Sequence, residues 1–145
     1  MKAFRFTLAK ILELRTREED SIRTDLAART AVADEARRRV EARRVRLDVL
    51  LDAARSARGT GRRIDPAELA AADAGVAKAR AALAQAEREF AVAEGERESC
   101  RLALVEAGRK RRALELLRER REAEWKARGA KDEQRALDEL SAVQD

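Results

Sequence analysis

Apolar residues fall on two interleaved rows between Leu69 and Trp125. Every seventh position from Leu69 reads Leu69, Val76, Leu83, Phe90, Arg97, Leu104, Arg111, Arg118 and Trp125. The companion row reads Ala72, Ala79, Ala86, Ala93, Cys100, Ala107 and Leu114. Steps of three and four alternate between the rows, which is the seam of a long helix lying against another helix. One row is mostly large and the other mostly alanine, so the partner axis sits toward the short end of the usual range of about 8–10 Å.

The first sixty residues supply that partner. One row there reads Leu12, Glu19, Leu26, Ala33, Val40, Leu47 and Ala54, and the other Arg15, Ile22, Arg29, Ala36, Arg43, Leu50 and Ala57. Arginine stems cover apolar surface while their guanidinium groups reach water or opposing carboxylates. Between the two patterns lies Gly59-Thr60-Gly61-Arg62-Arg63-Ile64-Asp65-Pro66. The glycines stop the first helix. Asp65 then reads as an N-cap, with Pro66 at the first helical position and Glu68 three residues past the cap. The pattern therefore predicts an all-α chain, a long two-helix antiparallel coiled-coil hairpin with a C-terminal helical overhang. Helix 1 spans about 4–58, the connector 59–65 and helix 2 about 66–140, in one domain covering 1–145. Glycine's low helix propensity puts the expected disruption at Gly129, since it follows the last seam residue.

Folding about Gly61 pairs residue i with residue 122 − i. Arg37 to Arg39 then face Leu83 to Glu89, where Glu87 and Glu89 await them, and residues beyond Arg120 have no partner in the chain. At about 1.5 Å per residue the paired part is about 80 Å long and the overhang up to about 30 Å.

Charge changes the picture in two ways. Charged residues make up 42% of the chain, which on its own would suit disorder, but the phased apolar rows argue for long helices. The net charge of +5 comes from arginine, and it is unevenly spread: residues 1–58 hold fifteen basic and ten acidic side chains, residues 66–100 four and seven. A basic first helix against an acidic start of the second favours their pairing. The single cysteine cannot form an internal disulfide, which fits a reducing compartment. No apolar span of about 20 residues is present, so direct membrane insertion is not expected, and the segment 1–14 does not read as a signal peptide.

The residue inventory excludes most chemistry. There is no histidine, hence no ordinary triad and few transition-metal arrangements, and no glycine-rich phosphate loop. Cys100 lies on the apolar seam and reads as a packed thiol. The expected protein is not an enzyme and takes no cofactor or metal. The run Arg109-Lys110-Arg111-Arg112 lacks the aromatic or glycine pattern of a nucleic-acid module, so nucleic acid is not an expected partner. Two end segments exceed what one seam needs: Phe4 to Leu14, and Arg109 to Leu140 with Trp125 near an unpaired helix end. Tryptophan and arginine at such a place are candidate anchors for a partner.

These ends carry a family resemblance. Phe6-Thr7-Leu8, Ile11-Leu12 and Leu14-Arg15 resemble the N-terminal signature of the flagellar FliJ family. Arg112, Leu114, Leu117, Glu119-Arg120-Arg121, Trp125, Glu133-Gln134 and Leu137-Asp138-Glu139-Leu140 resemble its C-terminal signature. The resemblance spans nearly the whole chain. It implies a component of the flagellar type III export apparatus, a coiled coil similar to the central stalk of rotary ATP synthases. Implied partners are the hexameric export ATPase FliI, the export gate protein FlhA and export chaperones. The implied location is cytoplasmic, held peripherally at the inner membrane by the export apparatus. On this reading the ATPase ring meets Phe4, Phe6, Leu8, Ile11, Leu114, Leu117, Arg120, Arg121, Trp125, Leu137 and Leu140. The alternatives are the equivalent stalk of a virulence secretion system and a general self-associating coiled-coil scaffold.

Overall fold

A computed structural model describes residues 2–59, 61 and 63–143. Connector residues Thr60 and Arg62 lie outside the described residues. Two helices account for almost all of the rest: α1 (Ala9–Gly59) and α2 (Pro66–Val143). They run antiparallel and pack on each other as an all-α helical hairpin, in two compact units. One unit combines Met1–Arg23 with Ala103–Asp145, and the other is Thr24–Leu102.

The start of α2 follows from its cap. The Asp65 carboxylate accepts the backbone N–H of Ala67 at 3.0 Å, and its carbonyl accepts that of Leu69 at 3.1 Å. Pro66, with no N–H to leave unsatisfied, fills the first helical position. Gly61 in the connector has φ 65°, a left-handed conformation that a side chain would strain. At the other end α2 continues through Gly129 without a break, against the expectation of a disruption there. One glycine costs only about 1 kcal/mol in a helix, too little to interrupt a run of good helix formers. α1 starts at Ala9, several residues after Phe4, because residues 2–6 are not helical and Thr7–Leu8 form a turn.

In the Thr24–Leu102 unit the core is small. Its buried apolar residues are Ala33, Ala36, Val40, Val76, Ala79, Ala86 and Ala93, none larger than valine. Ala33, Ala36 and Ala93 form one cluster, with Phe90 packed against it. Every leucine of the seam keeps part of its surface in water. A fully buried leucine contributes about 1.5–3 kcal/mol, so a core of alanines and valines is held together weakly per residue. Cross-helix ion pairs rim it: Arg29 with Glu96 at 3.2 Å, Arg44 with Glu87 at 3.5 Å and Arg58 with Asp73 at 2.7 Å.

These contacts correct the expected register. Paired residue numbers add to 125 for Arg29–Glu96 and 131 for Arg58–Asp73, where folding about Gly61 would give 122. The chain turns further along because Asp65 starts α2 and because the seam rows must meet face to face. Arg37 to Arg39 consequently do not meet Glu87 and Glu89. Arg37 lies over the Phe90 ring at 5.6 Å, Arg38 and Arg39 bind Glu35 on their own helix, and Arg44 takes Glu87.

Candidate functional site

The unit made of the two chain ends holds the candidate residues. Within it Glu19 is the one buried charged side chain among the described residues, 7% exposed. It accepts hydrogen bonds from Arg23 of its own helix at 3.1 Å and from Nε of Arg111 on α2. Gly108 lies beside it: a Cβ there would stand 3.6 Å from Glu19 Oε1, in ordinary contact. Arg111 also donates to Glu115 at 2.7 Å, and Arg112 to Glu115 at 3.2 Å. Hydrogen bonds from Arg111 and then Arg112 hold the Glu115 carboxyl below the usual carboxylate range. Glu19 and Glu115 together push the Arg111 guanidinium higher still. A buried acid with this many donors is satisfied, so the layer holds structure and has no spare group for chemistry.

Toward the chain ends, the non-helical residues 2–6 meet α2 through Phe4 and Phe6. The Phe4 ring meets the Trp125 ring, centroids 6.1 Å apart at 51°. The Arg121 guanidinium sits over Phe6 at 5.9 Å and donates to the Thr7 hydroxyl at 3.1 Å. Phe4, Phe6 and Leu8 are half-buried, as are Leu114, Leu117 and Trp125. The structure thus brings Phe4, Phe6, Arg121 and Trp125 together, and the pairing of the chain reaches past Arg120 to Trp125. The earlier expected end of pairing at Arg120 followed from the register that the contacts overturn. Arg120 points elsewhere and donates to Glu124 at 3.1 Å. Ile11 is exposed on α1.

Beyond Trp125, Lys2 with Trp125, Arg128, Gly129, Asp132, Glu133 and Ala136 lines an open groove of about 480 Å³. Neither Lys2 nor Arg128 was expected here, because a register that pairs Phe4 with residue 118 and not with Trp125 hides this groove. From Lys131 to Val143 every residue of α2 is exposed, including Leu137 at 58% and Leu140 at 67%. These two leucines lie three apart on one face of the helix, as an interaction stripe requires. They stand apart from the Phe4–Trp125 contact, so the candidate residues form a joined patch and a separate free arm. Among the described residues no cluster of acidic or sulfur ligands could hold a metal ion, and no helix is long and apolar enough to cross a membrane.

A family model described as flagellar FliJ protein matches residues 4–144. No curated protein and no solved structure matches the chain.

Proposed function

This chain belongs to the flagellar FliJ family, and on that basis we propose that it is the coiled-coil stalk of a flagellar export ATPase. Membership supports an export-related role in the flagellum and a protein that is not an enzyme. The finer reading is that the terminal unit binds the ring of the hexameric export ATPase FliI. The Thr24–Leu102 unit meets the gate protein FlhA, and export chaperones exchange on its surface. The stalk is then held at the inner membrane through the export apparatus and not by a span of its own.

The observation that carries this reading is the free arm of α2. Thirteen residues from Lys131 to Val143 form helix that is exposed at every position, and they present Leu137 and Leu140 to water. An isolated helix of that length is marginal in water, and exposed leucines on it gain by burial in a partner. The charges around the leucines are mixed, Lys131, Glu133, Arg135, Asp138 and Glu139. Such a surface suits a contact that re-forms in several rotational positions within a ring, where a wholly apolar plug would hold one position too tightly.

The test mixes the chain with its cognate export ATPase and reads hydrolysis and ring assembly. The intact chain should stimulate both. Leu137→Glu with Leu140→Glu should remove the stimulation while leaving the helix content of the rest unchanged. Equal stimulation by the native chain and the double variant would overturn the assignment of the arm.

A further inference from the structure

The residues best suited to anchor a partner on α2 are already occupied by the chain itself. Arg121 and Trp125 face the segment 2–8, which offers them two aromatic rings and one hydroxyl. That segment is lightly held. Among the described residues its backbone hydrogen bonds both lie at its helical end, from the Ala9 N–H to the Phe6 carbonyl at 3.1 Å and from the Leu12 N–H to the Leu8 carbonyl at 3.0 Å, and residues 2–5 have none with another segment. Lys2, Ala3 and Arg5 are exposed, and both phenylalanines keep part of their surface in water. By contrast α2 satisfies its own backbone through this region whether or not the segment is present. Few buried contacts and a solvated backbone are the marks of a segment that opens locally without unfolding its support.

We propose that residues 2–8 form a displaceable strap, an intramolecular stand-in for an extended acidic segment of a partner that takes the same face of α2. The chemistry of the displacing segment follows from what the strap lacks. The Arg121 guanidinium is held by the neutral hydroxyl of Thr7, and a carboxylate at that place would make a charge-assisted bond instead. The charge on the same helix face leans the same way, with Arg118 and Arg128 beside Arg121 against Glu124 alone, while Lys126 is paired with Glu122 at 3.3 Å. The displacing segment therefore carries large apolar side chains two apart, as Phe4 and Phe6 are, and an acidic residue next after them. In an extended chain, residues two apart point to one side, which lets both reach the helix. With the strap in place the face is closed to weak or neutral segments; a segment with the carboxylate opens it. This inference rests on the terminal unit being the partner-binding end, and its test uses no ATPase, so each can fail without the other.

Trp125 is the only tryptophan, so its fluorescence reports the strap directly. In the full chain, Phe4→Ala with Phe6→Ala should shift Trp125 emission to the red while the helical circular dichroism holds. Two peptides then serve as probes, one with the sequence of residues 2–8 and one with glutamate in place of the threonine. The double variant should bind both at least tenfold more tightly than the native chain does. It should favour the glutamate peptide by about fivefold, the difference between a neutral hydrogen bond and one to a charged group. Arg121→Ala should erase that preference. Should the double variant lose helix, Thr7→Glu in the full chain gives the same reading in reverse: a tighter strap, bluer emission and weaker peptide binding. Unmoved emission, equal affinity for native and variant chains, no peptide binding up to millimolar concentration, or no preference for glutamate would each overturn the proposal.

Discussion

Glu19 shows how a single side chain is fixed by its surroundings. It occupies a seam position that apolar residues fill elsewhere, and it is tolerated because Arg23 and Arg111 donate to it. Removing one partner costs more than removing both. Arg111→Leu leaves a buried carboxylate with Arg23 alone and should lower stability by about 1–3 kcal/mol. Glu19→Leu combined with Arg111→Leu should recover most of that loss, since an apolar pair of similar size often replaces a buried ion pair without penalty. Urea unfolding followed by circular dichroism separates the two; a double variant as weak as the single would contradict this account. Acid acts through carboxylates that are exposed or only partly buried. Hydrogen bonds from Arg38, Arg97, Arg101 and Arg111 hold Glu35, Glu94, Glu98 and Glu115 respectively below the usual range. Their folded values lie below the unfolded value of about 4.3, so the stability they give is full above that pH and is lost as pH falls through the folded values. The melting temperature should therefore drop between pH 5 and pH 3, modestly because these pairs are wet, and less so in high salt. A melting temperature that rises toward pH 3 would be inconsistent with these ion pairs.

At the scale of the elements, the two helices were legible in the order of residues alone. The rows read from Leu69 and Ala72 are the inward positions of α2, with Val76, Ala79, Ala86, Ala93 and Ala107 buried, though Arg118 faces water. On α1 the row from Leu12 is inward throughout, and Arg29 and Arg43 of the other row escape to solvent, as long cationic side chains do. The Asp65 cap was legible for a local reason, because capping needs only the residues beside it. Asp65→Ala should cost about 0.5–2 kcal/mol by stranding the Ala67 N–H. Glycines within α2 point the other way: a Cβ at Gly75 or Gly95 meets nothing within 4 Å. Gly75→Ala and Gly95→Ala should each stabilise by up to about 1 kcal/mol, read as a higher thermal midpoint. A destabilised Gly95→Ala chain would mean that the helix needs that site soft. The register and the N-terminal strap were not legible. Heptad rows fix which faces meet but leave the offset to the turn, and the true turn is displaced from Gly61. Phe4 reaches Trp125 only in the displaced register, and its segment is not helical, so periodicity carried no sign of it.

For the whole molecule, the account requires that one chain supplies both sides of each helix pair. Only then do the two chain ends belong to one unit, with Phe4 on Trp125 and the arm from Lys131 onward left free for a partner. A parallel self-associated coil would use the same apolar rows and would place neither the strap nor the arm where they are. The core makes this decidable, because Ala33 and Ala93 come from opposite helices and share one buried cluster. The direct measurement is oxidation of the full chain carrying Ala33→Cys, Ala93→Cys and Cys100→Ser, followed by its mass under denaturing, non-reducing conditions. The account predicts a disulfide closed within a single chain of 16.2 kDa at any protein concentration. Crosslinking only between chains, increasing with concentration, would contradict it.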